Sequence, residues 1–322
     1  MQMFCSIIIP TVGRPSLSKS VSSVLEQNCS KLNFEIIVVN DSGQPLPPAE
    51  WQKSERVQMI CTQKRERCFA RNTGAAIAKG DYLCFLDDDD WFLPNALDHF
   101  WSLVQIYPDA AWFYGGVEFV DSGGETLGYL NQRKTGNCFV EAMTETWIPL
   151  QASLIRAEAF FEVGGFNPEF VVTQDLDLLR RIAFRHDLAA TPENTACIQR
   201  GSERKAETKY TIAWLYITKG RDKLLAEQEA LSRLLDSAGD SAFLRGLVLR
   251  NYKSATLFNL RRYHWLTAIS RLISGIKALL KSVRYVFTKS YWLAAMGSRA
   301  LHPALIENPA PAYNSVDDWL YS

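Results

Sequence analysis

The sequence predicts an α/β fold in which a largely parallel sheet carries helices on both faces, followed by a helical extension. Three observations lead there. Short apolar runs rich in Ile and Val alternate with amphipathic stretches as far as Val120. Those runs are bounded by Gly, Pro, Asn and Asp, as buried strands are. From about Tyr210 onward the strand signals stop and the pattern becomes helical.

The elements follow in order. Residues 5–9 (CSIII) form a buried strand ended by Pro10, and residues 16–26 suit a helix. Residues 34–40 (FEIIVVN) form a second strand before the turn Asp41-Ser42-Gly43, and residues 57–61 a third. Residues 69–79 read as a helix closed by Gly80, a favoured residue just past a helix end. Residues 81–86 (DYLCFL) make the fourth strand, 94–107 a helix, and 111–120 a long strand before the turn at 121–124. Ligands of such sheets sit at the carboxyl ends of the strands. Thr11, Asp41 and Asp87 each follow a strand, so all three should line one edge.

Composition narrows the class. The 322 residues are 47% hydrophobic and 22% charged, which suits a large globular domain with an appendage and excludes extensive disorder. The seven cysteines are scattered and form no C-x-x-C pair, so they read as buried thiols of a reducing compartment rather than a zinc or redox motif. The four histidines show no metal spacing and no Ser or Cys partner, which leaves a hydrolase triad without support. The start lacks the basic region of a signal peptide, and no uncharged stretch reaches the ~18 residues of a membrane span. A cytoplasmic protein is expected. The balanced net charge hides an asymmetry: residues 241–322 carry eleven Lys and Arg against three acids, and the remainder is correspondingly acidic. A basic tail on an acidic body suggests an anionic partner for the tail.

Three segments could carry chemistry. The first is Asp87-Asp88-Asp89-Asp90, directly after an apolar strand. Adjacent carboxylates repel, and a divalent cation such as Mg or Mn would neutralise them. The alternative is a solvated acidic loop at the start of the helix near Pro94. The second is Thr173-Gln174-Asp175-Leu176-Asp177, after the turn Val163-Gly164-Gly165-Phe166. Asp175 falls at a helix start with Leu176, Leu179 and Ile182 towards the core, and on spacing alone it is an ordinary N-terminal acid. The third is Arg65-Glu66-Arg67-Cys68-Phe69-Ala70-Arg71, a basic stretch that could meet a diphosphate or simply face solvent.

Taken in order, these pieces resemble the family-2 inverting glycosyltransferases of GT-A fold. The resemblance rests on Ser6-Ile-Ile-Ile-Pro10-Thr11 with Arg14, Glu35-Ile-Ile-Val-Val-Asn-Asp41-Ser42, Ala70-Arg71-Asn72-Thr-Gly74, Gly80 through Asp90, Pro94, Val163-Gly-Gly-Phe166 and Gln174-Asp175. It implies a single Rossmann-like mixed sheet flanked by helices. The expected domains are a catalytic unit at 1–208, with a nucleotide-binding half (1–110) and an acceptor-side half (111–208), and a basic helical extension at 209–322. It implies a metal-dependent transferase moving one sugar from a nucleotide sugar, a UDP-sugar, to an acceptor hydroxyl in polysaccharide or glycolipid assembly. Pro10, Thr11, Asp41, Arg71, Asp87 and Asp88 would bind the donor, Asp89 would hold Mg or Mn, and Asp175 would activate the acceptor. Two departures stand out: Gln174 replaces the usual Glu, and Arg200, before Gly201-Ser202, stands near where many relatives have His. The Q-x-x-R-W signature of processive relatives does not occur. Transfer to a polyprenyl phosphate, non-catalytic binding of nucleotide sugars, and a haloacid-type phosphatase stay open. The phosphatase would want its acid pair after the first strand rather than the fourth.

The expected partners are a nucleotide sugar and a glycan or lipid-linked acceptor, with no nucleic acid. Residues 241–306 add an anionic membrane surface. Read as a helix, residues 266–287 place Ile269, Leu272, Ile273, Ile276, Leu279, Leu280, Val283 and Phe287 on one face, and Arg271, Lys277 and Lys281 largely on the other. Peripheral attachment to the cytoplasmic face of a membrane is the expectation, with packing of the apolar face on protein as the alternative.

Overall fold

The computed structural model describes residues 3–29, 32–144, 148–170, 172–200, 206–236 and 242–296. Its elements run β1 (Met3–Thr11), α1 (Leu17–Leu25), β2 (Leu32–Asn40), β3 (Val57–Cys61), α2 (Arg67–Ile77), β4 (Tyr82–Phe85), β5 (Trp91–Phe92) and α3 (Ala96–Ile106). Then come β6 (Trp112–Val120), β7 (Thr126–Leu130), α4 (Phe139–Met143), β8 (Ser153–Arg156), α5 (Ala157–Glu162), α6 (Gln174–Arg185) and β9 (Leu188–Gln199). The helices α7 (Ala206–Leu225), α8 (Gln228–Asp236), α9 (Ala242–Arg261), α10 (Trp265–Lys281) and α11 (Lys289–Met296) follow.

One mixed sheet runs β3-β2-β1-β4-β8-β6-β9-β5, with β7 paired to β6. The first four strands are parallel. β8 then runs antiparallel to both β4 and β6, and β6 pairs parallel with β9. The period of two along a strand explains the packing. Ile7 and Ile9 of β1 join Ile36 and Val38 of β2 in a core on one face, under α1 and α3. Ile8, Ile37 and Val39 face the other way, into a core with α2, α5 and α6. Both faces are therefore dry, and β2 is buried at every position but one. α2 approaches so closely that a Cβ on Gly74 would stand 2.5 Å from Ile8 Cγ2 and 3.0 Å from Val39 Cγ2.

The extension packs through a third core. Leu224, Leu234, Val248, Tyr252 and Ala278 meet Phe139, Met143 and Phe184 from α4 and α6. α7 spans the expected boundary at 208/209. Gly201-Ser202 and residues 297–306 of the basic segment lie outside the described residues. Among the described residues, no helix is long and apolar enough to cross a membrane.

The helix expected at 266–287 is shorter. α10 stops at Lys281, and a single 3₁₀ turn, Val283–Tyr285, follows. Arg271 does not face outward with Lys277 and Lys281. It is buried, its Nε donating to Asp222 Oδ1 at 2.7 Å, while Asn259 Nδ2 donates to Asp222 Oδ2 at 2.9 Å. The reason lies in the side chains around it: Ala268, Ser274, Gly275 and Ala278 are small, so α10 meets its neighbours on that side at close range.

Gly74→Ala separates propensity from packing. Alanine is favoured over glycine in a helix interior by about 1 kcal/mol. Overpacking against β1 and β2 costs typically 1–3 kcal/mol. A net loss of stability in urea unfolding is expected, and a gain would show that α2 can lift off the sheet at little cost.

Candidate active site

The carboxyl ends of β1, β2 and β4 open into one cavity of about 500 Å³. Pro10, Thr11, Asp41 and all four acids, Asp87 to Asp90, line it, together with Arg14, Arg65, Arg67, Gln151, Gln199 and Arg200. The sheet's parallel half puts the first group there. Thr11 ends β1 and Asp41 follows its partner β2, with the Asp41 N–H donating to Thr11 O at 2.8 Å. The acids form a tight turn between β4 and β5, closed by the Asp90 N–H to Asp87 O at 3.1 Å.

Each carboxylate has a different set of partners. Asp87 takes Arg71 Nη2 on one oxygen at 2.5 Å and Gln151 Nε2 on the other at 3.1 Å. Asp88 is buried and accepts from Thr11 Oγ1 at 2.5 Å and from Arg14. Asp89 is the most open and lies 3.2 Å from Arg14 Nη1. Asp90 is buried and accepts the Gln199 N–H at 3.0 Å, which ties the end of β9 to the acid turn. Asp41 Oδ1 accepts Thr62 Oγ1 at 2.6 Å and the N–H groups of Lys64 and Arg65 at 3.1 and 2.8 Å. That carboxylate holds the turn that leads the basic stretch into α2.

Arg71 is buried beneath the cavity, beside the ring of Phe166, and its Nε and Nη1 have no hydrogen-bond partner. Burial weakens its charge, but Asp87 outweighs that and raises its pKa, with a contribution from Asp175. Asp175 stands in the first turn of α6, its Oδ1 accepting the Leu176 N–H at 2.9 Å. It is not among the residues lining the cavity. Gln174, beside it, is buried with Oε1 unpartnered.

Arg14, Asp90, Gln151 and Gln199 join the site without having been assigned roles from the sequence. Arg14 and Asp90 lie within the quoted motifs, so a signal existed. Gln151 sits in the middle of the 3₁₀ turn Leu150–Ala152, with no motif of its own.

The electrostatics divide the acids. Burial would raise the Asp87 pKa, but Arg71, Arg67 and Arg14 hold it below the ordinary carboxylate value. Burial and then the Asp87 charge raise Asp89. Asp90 is pushed up further by burial and by the charges of Asp87 and Asp89. A carboxyl with a raised folded-state pKa binds its proton more tightly when folded, so stability falls as pH rises through the window above its unfolded value. Asp90→Asn keeps an oxygen for the Gln199 N–H and removes the charge. In chelator, it should raise Tm at pH 7 by roughly 2–4 °C per kcal/mol relieved. The gain should shrink as pH falls towards 4, the ordinary carboxyl range. An equal gain at both pH values would show that repulsion is not the cause.

Comparison with known proteins gives the family and the fold. Residues 6–160 match the family model described as glycosyl transferase family 2. The chain is 34% identical over 207 residues to the uncharacterized glycosyltransferase YwdF of Bacillus subtilis, covering 59% of this chain and 72% of that one. It is 28% identical over 233 residues to the amylovoran biosynthesis glycosyltransferase AmsB of Erwinia amylovora, covering 65% and 76%. It spans 61% of a glycosyltransferase of Haemophilus influenzae and 31% of one of Rickettsia conorii, both 29% identical where they align. The structure superposes on S. aureus TarS residues 1–349 in complex with UDP-GlcNAc with a TM-score of 0.55 at 15% identity, covering 88% of this chain and 92% of that one. That likeness is one of fold, and it makes the sheet and its flanking helices a GT-A fold. With that fold, the family match and the YwdF alignment, the chain belongs to glycosyl transferase family 2.

Proposed function

We propose that the chain is an inverting glycosyltransferase that moves one sugar from a UDP-sugar to an acceptor hydroxyl during assembly of a cell-surface polysaccharide or glycolipid. One observation carries the reading: a single cavity joins an acid cluster to Arg14, Arg65, Arg67 and Arg200 at the carboxyl ends of three parallel strands. A ligand made of a divalent cation and a diphosphate matches both charges of that lining. The names of relatives support it, TarS having been solved with UDP-GlcNAc and AmsB being named for polysaccharide biosynthesis.

In this reading Pro10, Thr11 and Asp41 border the nucleoside, Asp87 faces the ribose, and Arg71 and Asp88 brace the donor side from below. Oxygens of Asp87, Asp89 and Asp90 lie within 4.8 Å of one another, and an all-oxygen set of this kind suits Mg or Mn. Asp89, the most open of them, is the principal ligand. An ion held there would offset the charge that gathers on the leaving diphosphate. Asp175 takes the proton of the acceptor hydroxyl as its oxygen bonds to the anomeric carbon and the bond to the diphosphate breaks on the opposite side. Inversion follows from that single displacement, with no covalent enzyme intermediate.

Asp89→Ala should abolish Mn-dependent binding of UDP in calorimetry and reduce turnover to near background. Equal binding by this variant and the parent, with and without chelator, would overturn the metal assignment. Asp175→Asn should bind UDP normally and transfer about 10²–10⁴-fold more slowly, the usual range for loss of a general base. An unchanged rate would favour transfer to a polyprenyl phosphate, whose attacking oxygen needs no base.

A further inference from the structure

α10 turns its apolar side away from the protein. Among the described residues, thirteen of the twenty exposed large hydrophobic side chains lie between Leu257 and Met296. Along α10, Leu266, Ile269, Leu272, Ile273, Ile276 and Leu280 are 48–86% exposed. The opposite side, with Ala268, Arg271, Ser274, Gly275 and Ala278, packs against the protein. The strip continues past the helix end through Val283 and Phe287, the latter 90% exposed. Beside it an apolar cavity of about 430 Å³ opens between α9, α10 and α11, with Leu257, Trp292 and Met296 at its exposed edge. A contiguous patch of this kind marks a contact surface rather than ordinary solvent-facing protein.

Charge identifies the contact. No Asp or Glu occurs from 241 to 306. Lys277 and Lys281 flank the strip on α10, Arg284 and Lys289 follow it, and Arg261 and Arg262 precede it, all exposed. The acids nearest on packed elements are already engaged, Asp222 with Arg271 and Asp236 with Lys281. Exposed Tyr263, Trp265 and Trp292 stand at the ends, the amphipathic side chains that favour a membrane boundary. A second copy of the chain would bring two basic strips together, whereas anionic head groups would neutralise this one.

We propose that α10 and the segment to Phe287 form a docking surface for an anionic membrane, with the helix lying in the plane of the interface. The helix is then about 25 Å long on the surface. The apolar strip enters the acyl boundary, Lys277, Arg284, Lys289, Arg261 and Arg262 meet head groups, and the buried Arg271–Asp222 pair fixes which side faces the lipid. This inference is independent of the donor chemistry proposed above.

The test is flotation of the full chain with vesicles of phosphatidylcholine alone or with 30% phosphatidylglycerol (about 30%, a moderate anionic load), at low and high salt. Binding is expected to the anionic vesicles, weakening with salt. Ile269→Glu, Ile273→Glu and Leu280→Glu combined change only exposed positions, and an unchanged thermal melt controls for folding. This variant should bind at least ten-fold less, and Lys277→Glu with Arg284→Glu should lose mainly the salt-sensitive part. Failure of the parent chain to float, or equal flotation of the triple variant, overturns the proposal. A parent that stays unbound but is dimeric in sedimentation, with a monomeric triple variant, overturns it in favour of a second copy. A parent that binds only after truncation at Met296 overturns it in favour of cover by the chain's own tail.

Discussion

Four carboxylates in succession at the end of β4 are the constraint around which the rest of the site is arranged. Without compensation, adjacent negative charges at a strand end would push the turn apart. The fold supplies compensation from separate elements. Arg71 rises from α2 to hold Asp87, and Arg14, from the loop after β1, reaches Asp88 and Asp89. The Gln199 N–H comes from β9, in the mixed half of the sheet. Each contact ties a different part of the chain to the same turn. The compensation is incomplete at Asp90, where burial and the charges of Asp87 and Asp89 raise the pKa well above the ordinary carboxylate value.

β1, β2 and β4 were legible because they are buried on both faces and therefore read as near-continuous apolar runs, while the edge strand β3 is partly exposed and carries a mixed sequence. Residues 5–9, 34–40, 57–61 and 81–86 each fall within or beside a strand of the structure, and the polar residues after them converge as the strand-end rule requires. The second half was legible only at β6, read as a long strand at 111–120, and not in the strands that flank it. β8 is four residues long, and β9 reads LAATPENTACIQ, with a proline and three consecutive polar residues inside it. Its register shifts twice against β6 around Gly116, so no simple alternation survives in the sequence. Gln151 was invisible for the same reason: it leads into β8, and its bond to Asp87 exists only because β8 lies beside β4.

α10 shows a different limit of sequence reading. Periodicity revealed two faces but not which one meets the protein. The usual assumption turns the apolar face inward. Here the inward face is made of small residues and one arginine, and the arginine's burial is tolerable because Asp222 and Asn259 are already in place to meet it. Breaking such a pair leaves a buried charge uncompensated, typically at about 3–5 kcal/mol. The pair is therefore an orientation lock. Rotating α10 to hide its leucines and isoleucines would expose the pair's alignment to loss and remove the close approach that Gly275 allows, 3.2 Å from a built Cβ to Tyr252 Cβ.

The two ends of the molecule are coupled through that third core. α4 contributes Phe139 and Met143, and Arg180 of α6 donates from Nε to Ala142 O at 3.0 Å and from Nη1 to Ile217 O of α7 at 3.1 Å. α6 also carries Asp175 in its first turn. The helix that presents the candidate base is thus fastened on its buried side to the extension that carries the apolar strip. Buried arginines bonded to backbone carbonyls on two elements leave little freedom for one to slide past the other. Whatever surface α10 meets is consequently held in a fixed relation to the first turn of α6. A tail joined by a flexible linker would leave that relation free. A tail packed into the same core as α6 fixes its direction as well as its distance.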